Sequence, residues 1–538
     1  MNSANQPPAV DALSLSILKA SASQLAARIA SEELTSYQVV EAFIERIEQV
    51  DESLNAVVIR RFDEARQEAQ EADRRQQQGA SLGPLHGVPV TLKECFHLAG
   101  TDSTIGLGRL VDQPAARDGL HVRRFREAGA IVLGKTNIPQ MMLFHECINP
   151  VYGRTLNPWD LERTPGGSSG GEAAIIAAHG SPLGLGSDLG GSLRIPAHFC
   201  GIHALKPTNG RLPRHGIEGN LFGMESILFQ PGPMSRHVED LVLAMDLLVG
   251  EPHEQGELRE APGPIPAVAD VKLEGLRIAA WDNDGYFRPS PAIRRAVHDA
   301  AQWLGEKGAI LSWLKPPDMD EVIEIYYGIL AADGGNDAHR LVAGSTLHPA
   351  IRRLLRIART PNWIKGPLVS LLRLFGENYT AQMMAAARGI SAHKYWQLTH
   401  RMNEFNRQFT EQLDEADCQA IICPPHGLAG ISHDLPVDLL AAASYAFLGN
   451  LVGFPAGVVA TTRVREGEES DREASRDSVI KKASRSEENS AGLPVGVQVL
   501  ARPWREDIVL AIMLALESSA REKDEYPELE IRGSPTDH

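Results

Sequence analysis

Cysteine is scarce in this 538-residue chain: Cys95, Cys147, Cys200, Cys418 and Cys423 are an odd number, with no CxxC pair and no zinc-ligand spacing. That pattern excludes a disulfide scaffold, offers no metal set, and implies reduced thiols in a cytoplasmic setting. Positive charge is also short. The 53 Lys+Arg against 69 Asp+Glu leave −16 with histidine neutral, so attraction to a phosphate backbone is disfavoured and no nucleic-acid partner is expected. No run of about 18 apolar residues occurs that would span a bilayer. The N-terminus lacks the basic stretch, apolar block and cleavage site of a secretory signal. No internal repeat is found.

What is present is ordinary enough to bury a sizeable core: 43% hydrophobic and 23% charged residues sit near the globular average. The length allows three or four domains at roughly 150 residues each, yet a large α/β enzyme can use one continuous sheet. We read the chain as a single domain, 1–538. Apolar residues recur at helical spacing over 12–60, and Thr35 to Gln38 reads as a capping box opening a helix with Val39, Val40, Phe43, Ile44 and Ile47. Short β-branched runs then alternate with helical segments at 87–93, 130–134, 182–188, 276–282, 419–424, 457–464 and 494–500. That alternation predicts an α/β fold with a mostly buried sheet. Residues 251–268 read as a connector and 465–492 as a solvated insertion.

Two familiar motifs fail on context. Gly129 to Thr136 fits G-x4-G-K-[ST], but its interior Ala-Ile-Val-Leu is itself a strand, whereas a phosphate loop must bend there. Gly166 to Gly170 fits G-x-S-x-G, but a polar, proline-bounded loop precedes it where a nucleophile elbow needs a strand. His145, Glu146 and Cys147 are metal-capable, yet neighbours on an extended chain point apart and no second cluster has ligand spacing, so packing or pocket lining is expected.

A three-part constellation remains: Lys93 in the apolar run GVPVTLKECF, Ser168 in GGSSGG, and Ser192 in GSDLGGSLRIP. Glycine concentrates between Gly153 and Gly210, where the backbone approaches something closely. The run GGSSGGEAAIIAAHGSPLGLGSDLGGSLRIPAHFCGIHALKPTNGR resembles the amidase signature. The flanks AGAIVLGKTNIPQ, NPVYGRTLNPWD, QPGPMSRHVEDL and GLPVGVQVL extend the likeness over most of the chain, with 80–210 as its core. KECF with DSTIGL, and PNWIKGPLVSLLRLF at 361–375, resemble the fatty acid amide hydrolases within that family.

The resemblance implies one large, twisted, mixed β-sheet covered by helices on both faces. It also implies a Ser-Ser-Lys triad with Ser192 as nucleophile, Ser168 as bridging serine and Lys93 as base. Ser168 is preferred to Ser169 because the 24-residue spacing to Ser192 matches the family's. A serine hydroxyl must lose its proton as it attacks. With no well-placed histidine, Lys93 must take it, although an ordinary lysine is neutral only about 0.04% of the time at pH 7. Its site must therefore favour the free amine by about 4 kcal/mol; burial has the right sign. The same relay reversed would protonate the leaving amine. By resemblance the oxyanion donors are the N–H groups of Leu189, Gly190, Gly191 and Ser192, and a cis bond joins Gly167 to Ser168. Asp188 and Arg194 are expected to pair beside the nucleophile.

Met141, Met142, Leu143 and Phe144 resemble the family's acyl-pocket lining. The implied substrate is a small amide with an apolar acyl chain, with shorter or aryl acyl groups, or glutamine-dependent amidotransfer, as alternatives. A catalytically silent scaffold is the reading from outside enzymology. No metal or organic cofactor is called for. The 361–375 helix is too short to cross a bilayer and has two readings: an interfacial helix with Lys365 and Arg373 at the headgroups, within a substrate-access cap at 340–400, or a core or homodimer-contact helix.

Overall fold

The computed structural model describes residues 11–219, 223–249 and 263–531. Its strands are β1 (Val57–Arg60), β2 (Pro89–Lys93), β3 (Ile131–Thr136), β4 (Ile148–Asn149), β5 (Gly153–Arg154), β6 (Leu183–Asp188), β7 (His203–Lys206), β8 (Gln230–Ser235), β9 (Arg277–Ala280), β10 (Ile310–Trp313), β11 (Ala420–Cys423), β12 (Ala456–Arg463) and β13 (Pro494–Ala501). Eleven of them form one mixed sheet in the order β1-β3-β2-β6-β8-β7-β12-β13-β11-β9-β10, and β4 pairs with β5 apart from it. Successive side chains of a strand face opposite sides. Along β11, Ala420 and Ile422 join one apolar cluster while Ile421 and Cys423 join another, and Ile278, Ala279 and Ala280 of β9 divide the same way. Both faces are therefore covered, as the near-continuous apolar runs require.

The site is positioned by two neighbouring parallel strands. β2 and β6 pair with Leu92 opposite Leu185, so Lys93 and the Ser187–Asp188 end of β6 emerge at the same carboxyl edge, where α/β sheets present their ligand crevice. The capping box forms as read: Gln38 N–H donates to Thr35 Oγ1 (3.1 Å) and Thr35 N–H to Gln38 Oε1 (2.9 Å), opening the helix Ser36–Leu54. The phosphate-loop look-alike is a strand. Lys135 ends in it fully buried, donating to the Asp102 carbonyl and to Ser103 Oγ.

Two expectations change. The 465–492 segment is not simply solvated: it folds a helix, Ser478–Glu487, whose Val479 and Ala483 are buried, and its Arg472 pairs with Glu487 at 2.9 Å out of water. Asp477 also accepts from the N–H of Asn378 (2.8 Å), tying the segment to the 340–400 region. Lys365 is not at a surface. It is buried, and its Nζ donates to the carbonyls of Ala358 (3.3 Å) and Ala387 (2.5 Å), because those helix-end carbonyls have no partner of their own helix. The same helix, Asn362–Leu374, nevertheless leaves Trp363 and Leu374 nearly 80% exposed, at 78% and 79%, so it is no core helix. Of the connector at 251–268, residues 251–262 lie outside the described residues. Among the described residues no helix is long and apolar enough to cross a membrane.

Candidate active site

Lys93, the last residue of β2, is completely buried. Its Nζ lies 2.6 Å from Ser168 Oγ, 2.9 Å from Ser187 Oγ and 3.3 Å from the Ser187 carbonyl, and it makes no ion pair among the described residues. Burial pushes this lysine below its ordinary value, against the opposing pull of nearby groups that include Asp188 and Glu172. Three oxygens therefore surround the Lys93 amine, and none of them carries a charge. Glu172 is held apart by Thr91 and Thr136 (2.7 Å to the latter) and is pushed up to about 7 by burial.

Ser168 sits where the chain turns into the helix Gly170–Ala177, after a cis Gly167–Ser168 bond. A Cβ on Gly167 would lie 2.8 Å from the Phe144 carbonyl, so only glycine fits that approach. Ser169 points elsewhere: its Oγ donates to the Ser187 carbonyl and accepts from Ser187 N–H, both at 3.3 Å. Ser187 itself, adjacent to two expected site residues, carried no sequence signal of its own beyond the glycine-rich run.

Ser192 lies between β6 and the helix Arg194–Cys200. Its Oγ forms no hydrogen bond to Ser168 here; catalytic hydrogen bonds often tighten only with substrate. The loop before it is locked by a fully buried pair. Arg194 Nε and Nη2 each reach an Asp188 oxygen at 3.0 Å, and its remaining donors go to the Ala446 carbonyl, Gln498 and Asn450. Burial alone would raise the Asp188 carboxyl, but the Arg194 charge and hydrogen bonds hold it well below the usual range. Asp188 Oδ1 also accepts Gly191 N–H at 2.8 Å. Of the four expected oxyanion donors, that one is therefore already engaged, while the N–H groups of Leu189, Gly190 and Ser192 have no acceptor among the described residues.

Over Ser192 opens a cavity of about 180 Å³ with mostly apolar walls, larger than the ~150 Å³ apolar void that accepts benzene. Met142, Leu143 and Phe144 line it with Leu189, Tyr326 and Phe447. Met141 does not. Met141 and Met142 both have left-handed backbones (φ 58° and 54°), and the turn sends Met141 into the core. His145, read as packing or lining, lines the cavity, and its Nε2 bonds the Gly190 carbonyl at 3.1 Å. Glu146 is occupied by His433 and the Asp434 N–H, and no metal-ready cluster occurs among the described residues. Tyr326, Leu354, Met383 and Phe447 were missed because they reach the site from distant helices whose pattern is that of any core helix.

Residues 38–510 match the amidase family. Fatty-acid amide hydrolase 1 of Sus scrofa is 35% identical over 504 residues, covering 92% of this chain and 84% of that protein. A glutamyl-tRNA(Gln) amidotransferase subunit of Acidothermus cellulolyticus is 33% identical over 386 residues, covering 70% and 74%. A solved fatty acid amide hydrolase superimposes with a TM-score of 0.82 at 25% identity, over 94% of this chain and 86% of that one. A match running from the third helix to the last, on one continuous mixed sheet, makes this chain a member of the amidase family, an α/β amide hydrolase.

Proposed function

We propose that the chain hydrolyses amides of long-chain, apolar acids through an acyl-enzyme on Ser192, with Lys93 and Ser168 as its proton relay. The observation that carries this reading is the buried, ion-pair-free Lys93 amine 2.6 Å from Ser168 Oγ, beneath an apolar cavity lined by Ser192. Neutral Lys93 takes the Ser168 proton as Ser168 takes that of Ser192, whose oxygen bonds to the amide carbon. The relay then runs backwards, the nitrogen receives that proton as the C–N bond breaks, and the amine leaves neutral. Water attacks the acyl-Ser192 ester by the same base, freeing the acid. The acyl chain lies along Met142, Leu143 and Phe144 toward the helices Pro349–Arg359 and Asn378–Ala386. The relatives named for fatty acid amides support this choice over short acids, and the exposed Trp363 and Leu374 support contact with a lipid surface from which such substrates come.

A hydrolysis panel of primary amides and ethanolamides with two to twenty acyl carbons, with and without vesicles, tests the substrate class. Turnover rising with chain length, and lost with fluorophosphonate labelling in Ser192→Ala, is expected. A short-chain optimum overturns the lipid assignment, and labelling that persists in Ser192→Ala overturns the nucleophile.

A further inference from the structure

The glycine loop before Ser192 is pinned, carbonyl by carbonyl, from outside. Tyr326 Oη donates to the Leu189 carbonyl at 3.2 Å. His145 Nε2 donates to the Gly190 carbonyl at 3.1 Å, and since a carbonyl only accepts, that nitrogen carries the proton. Ile195 N–H donates to the Gly191 carbonyl at 2.7 Å. In a planar trans peptide the N–H points opposite to the preceding C=O, so each bond also aims the next amide. The Tyr326 bond aims Gly190 N–H, the His145 bond aims Gly191 N–H, and the Ile195 bond aims Ser192 N–H. Gly191 N–H is spent on Asp188. Gly190 and Ser192 are left as aimed, acceptor-free donors.

Tyr326 is held for this task. Its ring stacks on Phe447 with centroids 4.4 Å apart and planes 16° apart, it is buried at 3% exposure, and it closes on the loop so tightly that a Cβ on Gly190 would lie 2.3 Å from its hydroxyl. It comes from the helix Met319–Leu330, 137 residues away in sequence from Leu189.

Resting on the Ser192 reading above, we propose that Tyr326 is a positioning residue for the oxyanion site: its hydrogen bond orients the 189–190 peptide, so that Gly190 N–H joins Ser192 N–H as a working donor. The Tyr326 side chain neither gives nor takes a proton in the reaction. Its effect belongs to the tetrahedral oxygen, not to ground-state substrate.

Tyr326→Phe deletes one hydroxyl and keeps the stacked ring. Removing an oxyanion donor outright costs ~10²–10³ in rate; loosening one is expected to lower kcat about 10-fold. KM should stay unchanged, the loss should be equal for amides and esters and for short and long acyl chains, and a trifluoromethyl ketone should bind weaker by the same factor as kcat/KM. A Tyr326→Phe enzyme within twofold of wild type in kcat overturns the proposal, as does a loss confined to KM for long chains, which marks a mere cavity wall. Ser192→Ala run in parallel separates the two failures: turnover persisting there sinks the acyl-enzyme reading, whereas its loss beside a normal Tyr326→Phe sinks only the positioning role.

Discussion

The proposed relay, in which Lys93 works uncharged, ties rate to pH with a definite sign. Burial lowers Lys93 from its ordinary value, so protonation in the folded state begins only at a lower pH than in the unfolded chain. Above the lowered value the amine is free and the relay runs; as pH falls through it, kcat/KM for amides should fall with a slope set by one proton. Lys93→Met keeps most of the buried hydrocarbon and removes the base. General acid–base catalysis is worth ~10²–10⁴, and amides need the returned proton more than esters do, so amide turnover should fall further than ester turnover. A pH–rate profile and a matched amide–ester pair check both; an acid limb that survives unchanged in a residual Lys93→Met activity would assign it to another group. The roles proposed for Ser168 and Ser192 were legible in the glycines at 167, 190 and 191, where an added Cβ would meet the Phe144 carbonyl, the Tyr326 hydroxyl and the Ile195 side chain, whereas Lys93 was singled out by its apolar run and the family resemblance. Met141 was misassigned because left-handed φ angles at two successive methionines carry no signature in residue type.

At the scale of elements, the seven strands read from β-branched runs all formed, and the ones not read have explicable disguises. β8 reads QPGPMS, a turn by its prolines, yet it pairs with β6 over six residues. Pro231 and Pro233 fall where β8 lacks β7 on its other flank, since β7 meets only Met234 and Ser235, and a missing N–H costs least there. The helix Asn362–Leu374 was disguised otherwise: its two cations look equivalent in sequence but do different work. Lys365 stitches helix-end carbonyls of two neighbouring helices, whereas Arg373 is exposed. Lys365→Ala should strand both carbonyls and lower stability by about 1–3 kcal/mol, while Arg373→Ala should stay within about 0.5 kcal/mol. Urea unfolding of the two variants measures this, and equal midpoints would show that the buried amine contributes no net stitching.

Across the whole molecule, the α/β class followed from the alternation of runs, whereas the assembly of the catalytic pocket did not, because its walls come from segments some 200 to 300 residues apart, such as Phe144 and Phe447. Charge adds a constraint that no single element shows. A chain at −16 is repelled by anionic bilayers over about a Debye length, ~10 Å at 0.1 M salt, so any lipid contact must rest on apolar side chains. Trp363, Ile364, Leu371, Leu374, Phe375 and Trp396 are the large ones left in water within 340–400, and burying a Leu or Phe side chain is worth ~1.5–3 kcal/mol each. Neutral phosphatidylcholine vesicles should therefore bind the enzyme better than phosphatidylserine vesicles at low salt, with the difference shrinking as salt rises. Leu374→Ser with Phe375→Ser should reduce co-sedimentation and slow turnover of a vesicle-borne long-chain amide, yet leave a freely dissolved short amide untouched, since neither side chain lines the catalytic cavity. Tighter binding to anionic vesicles, or equal loss on both substrates, would contradict an apolar contact and assign these side chains to folding instead.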